Sequence, residues 1–164
     1  MKHTISILVE NEFGALARIA GLFSGRGFNI ETLTVAPTLD PSLSRMTINT
    51  LGDDHVIEQI IKQLNRLINV VKVTDVTKQN SLSLTLALIK INLGRRNKDK
   101  IQRIVKPFYA RIVEADERCT IIQSVTDENT LAKLVEVLKP YGIMEYMSTG
   151  NMAMQRGKNE TSKE

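Results

Sequence analysis

Asn11-Glu12-Phe13-Gly14-Ala15-Leu16 lies between the alternating run Thr4-Ile5-Ser6-Ile7-Leu8-Val9 and an amphipathic stretch. These residue types suit recognition of a small zwitterion. Asn11 carries both a donor and an acceptor, so it can address a carboxylate or an ammonium. Gly14 lets a ligand approach the main chain with no Cβ in the way. A helix that starts here offers free N–H groups and partial positive charge, which suit a carboxylate. The same residues also suit an ordinary tight turn into a helix, and the local pattern allows both readings.

Other chemistries find few groups to work with. The chain holds two histidines, His3 and His55, and one cysteine, Cys119. One thiol excludes zinc sites that need two or more thiolates, and neither histidine sits in an HExxH pattern. GxSxG, GxxxxGK[ST] and GxGxxG are missing, which argues against a nucleophile elbow, a P-loop or a dinucleotide fold. Cys119 reads instead as a small core residue of a strand over 118–125. A lone cysteine cannot form an internal disulfide and fits a reducing compartment.

The elements that must position the loop follow from periodicity. Residues 4–9 read as a strand. Leu16, Ile19, Ala20 and Phe23 recur at helical spacing and predict a helix over 14–24 whose core face they form. Gly25-Arg26-Gly27 stops it. Residues 28–36 and 45–51 read as a strand hairpin, joined by a connection over 37–44 whose two prolines keep it out of a ladder. Asp53 and Asp54 supply an N-cap for a helix with Ile57, Ile60, Ile61, Leu64 and Ile68 on one face. A strand over 70–76 closes the unit.

The second half repeats the order: a strand over 82–93, a helix over 97–108, a hairpin of 110–114 and 118–125, a helix capped by Asp127, and a strand over 143–148. The fold class expected is therefore α+β, two tandem ferredoxin-like βαββαβ domains. Thr77-Lys78-Gln79-Asn80-Ser81 has no apolar residue and marks the linker, dividing the chain into domains 1–78 and 79–155. Residues 156–164 read as a disordered tail. Leu93-Gly94-Arg95-Arg96-Asn97 matches the Asn11–Leu16 loop in place, but two arginines replace its polar residues, so a second site of that kind is not expected.

The 164 residues carry 22 Lys and Arg against 18 Asp and Glu, a net charge of +4. Arg95–Arg111 holds seven basic residues and one acid, Asp99. Such a cluster binds nucleic acid or an acidic partner surface, or forms the solvated face of a helix, and the last reading is preferred. Base stacking needs aromatics on a sheet face, and the strand at 45–51 has none. No apolar run approaches the roughly 18 residues of a membrane span, and the N-terminus lacks a signal-peptide core. Neither nucleic acid nor membrane is therefore expected as a partner. Open sheet edges suggest oligomerisation.

Three runs carry a specific resemblance: Leu8-Val9-Glu10-Asn11-Glu12-Phe13-Gly14-Ala15-Leu16-Ala17-Arg18; Gly21-Leu22-Phe23-Ser24-Gly25-Arg26-Gly27-Phe28-Asn29-Ile30-Glu31-Thr32-Leu33-Thr34-Val35; and Ser44-Arg45-Met46-Thr47-Ile48. Over about residues 3–76 the chain resembles the small regulatory subunit of acetolactate synthase (acetohydroxyacid synthase), whose first domain is an ACT domain. The rest is similar in length and layout. Ala17 stands where many members carry a small hydroxylated residue.

The resemblance implies a non-catalytic chain that stimulates a catalytic large subunit and confers feedback inhibition by valine. Thiamine diphosphate, magnesium and FAD would belong to that large subunit, with no cofactor in this chain. Valine would sit between two ACT domains of a homodimer or higher oligomer. Asn11, Gly14, Ala15 and Leu16 would come from one chain, and Asn29 and Ile30 from the facing one. The compartment implied is bacterial cytoplasm or plastid stroma. A freestanding amino-acid sensor with no enzyme partner is the alternative.

Overall fold

Alternation along the first strand turns Ile5, Ile7 and Val9 to one face, where they form the floor of a core. The structure, a computed structural model, describes residues 1–157. It divides into two compact units, Met1–Leu82 with the residues from Asn151 onward, and Ser83–Gly150. The first contains β1 (Lys2–Glu10), α1 (Ala15–Gly25), β2 (Ile30–Pro37), β3 (Leu43–Leu51), α2 (Asp54–Leu64) and β4 (Val70–Asp75). Its antiparallel sheet has the order β2-β3-β1-β4. Met46 and Ile48 of β3 join the floor, and Ala15, Ile19, Phe23, Ile57, Ile60 and Leu64 close it from the helices.

The helix ends explain where the loops emerge. Asp53 caps α2 by accepting the Val56 N–H at 2.8 Å. α1 ends in a Schellman turn: the Phe28 N–H reaches the Phe23 carbonyl, the Gly27 N–H reaches the Ser24 carbonyl, and Gly27 takes φ 71°. The rings of Phe23 and Phe28 meet edge to face at 6.4 Å and add the apolar contact of that motif. The turn therefore fixes the point at which Asn29 and Ile30 enter β2.

The second unit contains all but the first two residues of β5 (Ser81–Ile91), with α3 (Lys98–Val105), β6 (Ala110–Ala115), β7 (Thr120–Thr126), α4 (Glu128–Leu138) and β8 (Ile143–Ser148). The sheet order β6-β7-β5-β8 repeats that of the first unit, so both halves are ferredoxin-like. Ala87, Ile89, Ile91 and Ile122 pack beneath Ile101, Val105, Leu131, Leu134 and Leu138. A ninth strand, β9 (Met152–Gln155), lies in the residues grouped with the first unit.

Several expectations need correction. Leu16 is exposed, because the face of α1 that meets the sheet runs through Ala15, Ile19 and Phe23 and places Leu16 a quarter-turn away. Ile68 is exposed too: α2 stops at Leu64, the chain turns over Asn65–Leu67, and Leu67 packs on the core instead. Cys119 is half-buried in the turn before β7, not a core residue within a strand. Asp116 draws it there by accepting the N–H groups of both Arg118 and Cys119. Pro37 closes β2, where an edge strand tolerates it. Short β9 follows the Gly150 turn (φ 76°) and was not expected. Of the expected tail, Arg156 donates its N–H to the Asn80 carbonyl, and residues 158–164 lie outside the described residues. Among the described residues no helix is long and apolar enough to cross a membrane.

Candidate functional site

The β1–α1 loop is built as a helix start without a cap. Gly14 occupies the N-cap position of α1 with φ 82°, and no side chain caps the helix. Its first turn carries no acidic residue. The Ala15 N–H turns back to the Glu12 carbonyl at 3.2 Å, and the Arg18 N–H takes the Gly14 carbonyl at 2.9 Å. Leu16 and Ala17 therefore hold the first-turn N–H groups that lack an intrahelical acceptor. In the same unit α2 is capped by Asp53, so the open end belongs to α1.

Two asparagines brace this end. The side-chain amide of Asn11 donates to the Pro41 carbonyl at 3.0 Å, and its backbone N–H donates to the Ser42 carbonyl at 2.7 Å. The loop is thereby tied to the tip of the β2–β3 hairpin. Asp40 organises that tip by accepting the Ser42 N–H at 2.9 Å and the Ser42 hydroxyl at 2.7 Å. Those bonds hold the Asp40 carboxyl below the usual carboxylate range. On the other side, the buried Asn69 donates to Glu10 and Glu12, each at 3.0 Å, and accepts from Arg18. Its carbonyl also accepts the Glu10 N–H at 2.8 Å. Sequence reasoning missed Asn69: a single polar residue before a strand gives no periodic signal.

Asn11, Gly14, Ala15 and Leu16 thus fall together at one end of the unit. Ala15 turns its methyl into the core, so only its main chain can face a ligand. Leu16 is exposed beside the open N–H groups. Asn29 and Ile30 are not brought to them within one chain. Ile30 pairs with Thr50, whereas Glu10 pairs with Leu43, so the two groups occupy opposite ends of the sheet. The intervening 11-residue α1 spans about 16 Å. Asn29 is exposed, and its amide donates to Glu31 at 2.6 Å. The loop tips at the Asn11 end also carry Phe13, Leu39 and Ile68, all fully exposed.

The matching place in the second unit is closed. A Cβ on Gly94 would run into the carbonyl of Glu117, so the β6–β7 turn fills the place where, beside Gly14, a Cβ would meet only the Arg18 guanidinium at 3.8 Å. Of the basic segment that follows, Lys98, Lys100 and Arg103 lie on the exposed face of α3, opposite buried Ile101 and Val105. Arg103 bonds to the Asp99 carbonyl, and Arg111 to Gln123. Cys119 donates its thiol to Asp116 at 3.2 Å, and that carboxylate pushes the thiol up, away from a reactive thiolate. Among the described residues no three His, Cys, Asp or Glu side chains are grouped to hold a metal ion.

An uncapped helix start on the first of two ferredoxin-like units defines a small α+β protein of the ACT type, and comparison with known proteins agrees. Residues 5–72 match the family model described as "AHAS small subunit-like ACT domain", and residues 85–157 match "Small subunit of acetolactate synthase". A probable acetolactate synthase small subunit of Archaeoglobus fulgidus is 46% identical over 96% of this chain and 98% of its own. The acetolactate synthase small subunit of Aquifex aeolicus is 44% identical over 94% of this chain and 81% of its own. The crystal structure of the acetolactate synthase small subunit from Thermotoga maritima superposes with a TM-score of 0.87 at 34% identity, covering 97% of this chain and 99% of that one. The chain belongs to the acetolactate synthase small-subunit family.

Proposed function

We propose that this chain is a non-catalytic regulatory subunit that stimulates the catalytic large subunit of acetolactate synthase and makes it sensitive to valine. The observation that carries the reading is the separation of two half-sites on one unit. The Asn11–Leu16 loop offers open main-chain donors for a carboxylate, with exposed Leu16 beside them for an isopropyl group. Asn29 and Ile30 stand at the other end of the sheet. A two-fold axis beside the edge strand β2 sets one chain's loop against the other chain's Asn29, so a dimer completes two equal sites. Burying the isopropyl group fully against Leu16 and Ile30 supplies about 1.5–3 kcal/mol. Thiamine diphosphate, magnesium and FAD are assigned to the large subunit. The exposed tips of Phe13, Leu39 and Ile68 give the same end an apolar surface of the kind partners cover.

Complementation between two variants tests the shared site. Asn11→Ala and Asn29→Ala chains are each expected to bind valine weakly. Mixed and re-equilibrated, they form heterodimers in which one site carries both lesions and the other carries neither. Calorimetry should then recover one tight site per heterodimer. Failure to recover any tight site contradicts a site shared between chains.

A further inference from the structure

Asn69, only 5% exposed, is a buried polar hub behind the β1–α1 loop. Its side-chain nitrogen donates to Glu10 and to Glu12, each at 3.0 Å, and its Oδ1 accepts from the Arg18 guanidinium. The carboxylates need a donor and the guanidinium needs an acceptor, so an amide serves both sides where a carboxylate or an apolar group would not. The amide hydrogens of Asn69 occupy the two carboxylates. The bond to Oδ1 uses one of a guanidinium's five N–H donors.

The consequence falls on Arg18. Side chains of a helix lean toward its N-terminus, so Arg18, on the exposed surface of α1, reaches back along its own first turn. Its Nη2 and Cζ come within 3.8 and 3.9 Å of the position that a Cβ on Gly14 would take. The guanidinium therefore stands beside the N-cap residue, at a helix end with no acidic residue in its first turn and no side-chain cap. A cation at the positive end of a helix dipole is unfavourable by itself. Here a buried amide fixes it in that place. Open main-chain donors and a planar guanidinium lie side by side at one helix end. A carboxylate, which accepts at two oxygens, satisfies both together.

We propose that Arg18 makes the effector loop selective for a free carboxylate, and that Asn69 is a positioning residue that acts through Arg18. The inference rests on the valine reading above and adds what the loop demands of its ligand. An α-amino acid is accepted, and the amino alcohol with the same side chain binds weakly.

The test compares two ligands on the full chain by titration calorimetry. One is L-valine. The other is L-valinol, which keeps the isopropyl and ammonium groups and lacks the carboxylate. Thermal unfolding of each variant controls for folding. Arg18→Gln keeps a donor for Asn69 and loses the charge. It is expected to weaken valine about tenfold or more and valinol by less than about twofold, so the ratio of the two affinities falls. Arg18→Lys restores the charge without the planar fork and should recover part of that ratio. Asn69→Leu keeps Arg18 but frees Glu10 and Glu12 to pair with it, and should lower the ratio in the same direction. Where Asn69→Leu does not fold, the two Arg18 variants decide. A merely structural role weakens both ligands alike. Equal losses for valine and valinol, or a ratio that Arg18→Gln does not move, overturn the proposal. A wild-type chain that gives no valine heat overturns the valine reading, and this inference with it.

Discussion

Asn11 holds the Pro41 carbonyl through its side-chain amide at 3.0 Å, so one residue belongs both to the helix-start loop and to the brace of the neighbouring hairpin. One amide hydrogen is occupied there, and the other hydrogen and Oδ1 remain to meet a ligand. Asn11→Ala removes a hydrogen bond to a charged ligand group, a loss of about 1.5–3 kcal/mol. Valine binding is expected to weaken roughly 10- to 150-fold, at 1.4 kcal/mol per decade. Titration calorimetry reads this directly. Unchanged affinity would reduce Asn11 to a turn residue that braces residues 38–42.

The two glycines at matching places should respond differently to the same change. Gly14→Ala meets only the Arg18 guanidinium, at an ordinary van der Waals distance of 3.8 Å, but φ 82° penalises any Cβ by about 1–2 kcal/mol. Gly94→Ala drives a Cβ into the Glu117 carbonyl, so the loss should reach or exceed the top of the about 1–3 kcal/mol range for overpacking. Denaturant unfolding of each variant gives both numbers. Equal, small losses would mean that the β6–β7 turn yields easily and the second loop is not closed.

How much of this was legible in the sequence depends on whether a residue acts locally. Asp53 and Asp127 announced themselves as caps, because a cap needs only its own next turn, and both cap their helices as expected. The βαββαβ order, repeated twice, followed from alternation and helical spacing. Leu16 and Ile68 were misread because spacing finds a stripe but not its edges: a helix begun at Ala15 and ended at Leu64 leaves both outside the core. Asn69 and the Asn11–Pro41 contact were invisible, since each joins residues more than 25 positions apart. That no second site is expected at 93–97 was read from two arginines, whereas the structure adds a steric reason, the Glu117 carbonyl beside Gly94, that the sequence did not reveal.

Asp40 makes the hairpin tip sensitive to acid. Bonds from the Ser42 hydroxyl and N–H hold its carboxyl below the usual carboxylate range in the folded chain. A carboxyl lowered by folding stabilises the folded form above its unfolded pKa, and that contribution fades as pH falls through the folded value. The Ser42 amide resonance should therefore titrate with a midpoint below about 3.9. Asp40→Asn should abolish that step while leaving the neutral-pH fold intact. A midpoint above 4 would show that the turn does not favour the charged carboxylate.

The central claim is regulation, and one assay addresses it most directly: acetolactate formation from pyruvate by the cognate large subunit, with and without this chain, across a valine titration. The chain alone should make none. Added to saturation, it should raise the turnover of the large subunit, and valine should then suppress the gain with a midpoint that moves upward in the Asn11→Ala variant. A turnover that saturating chain does not change, or a valine response that is the same with and without it, would contradict the account.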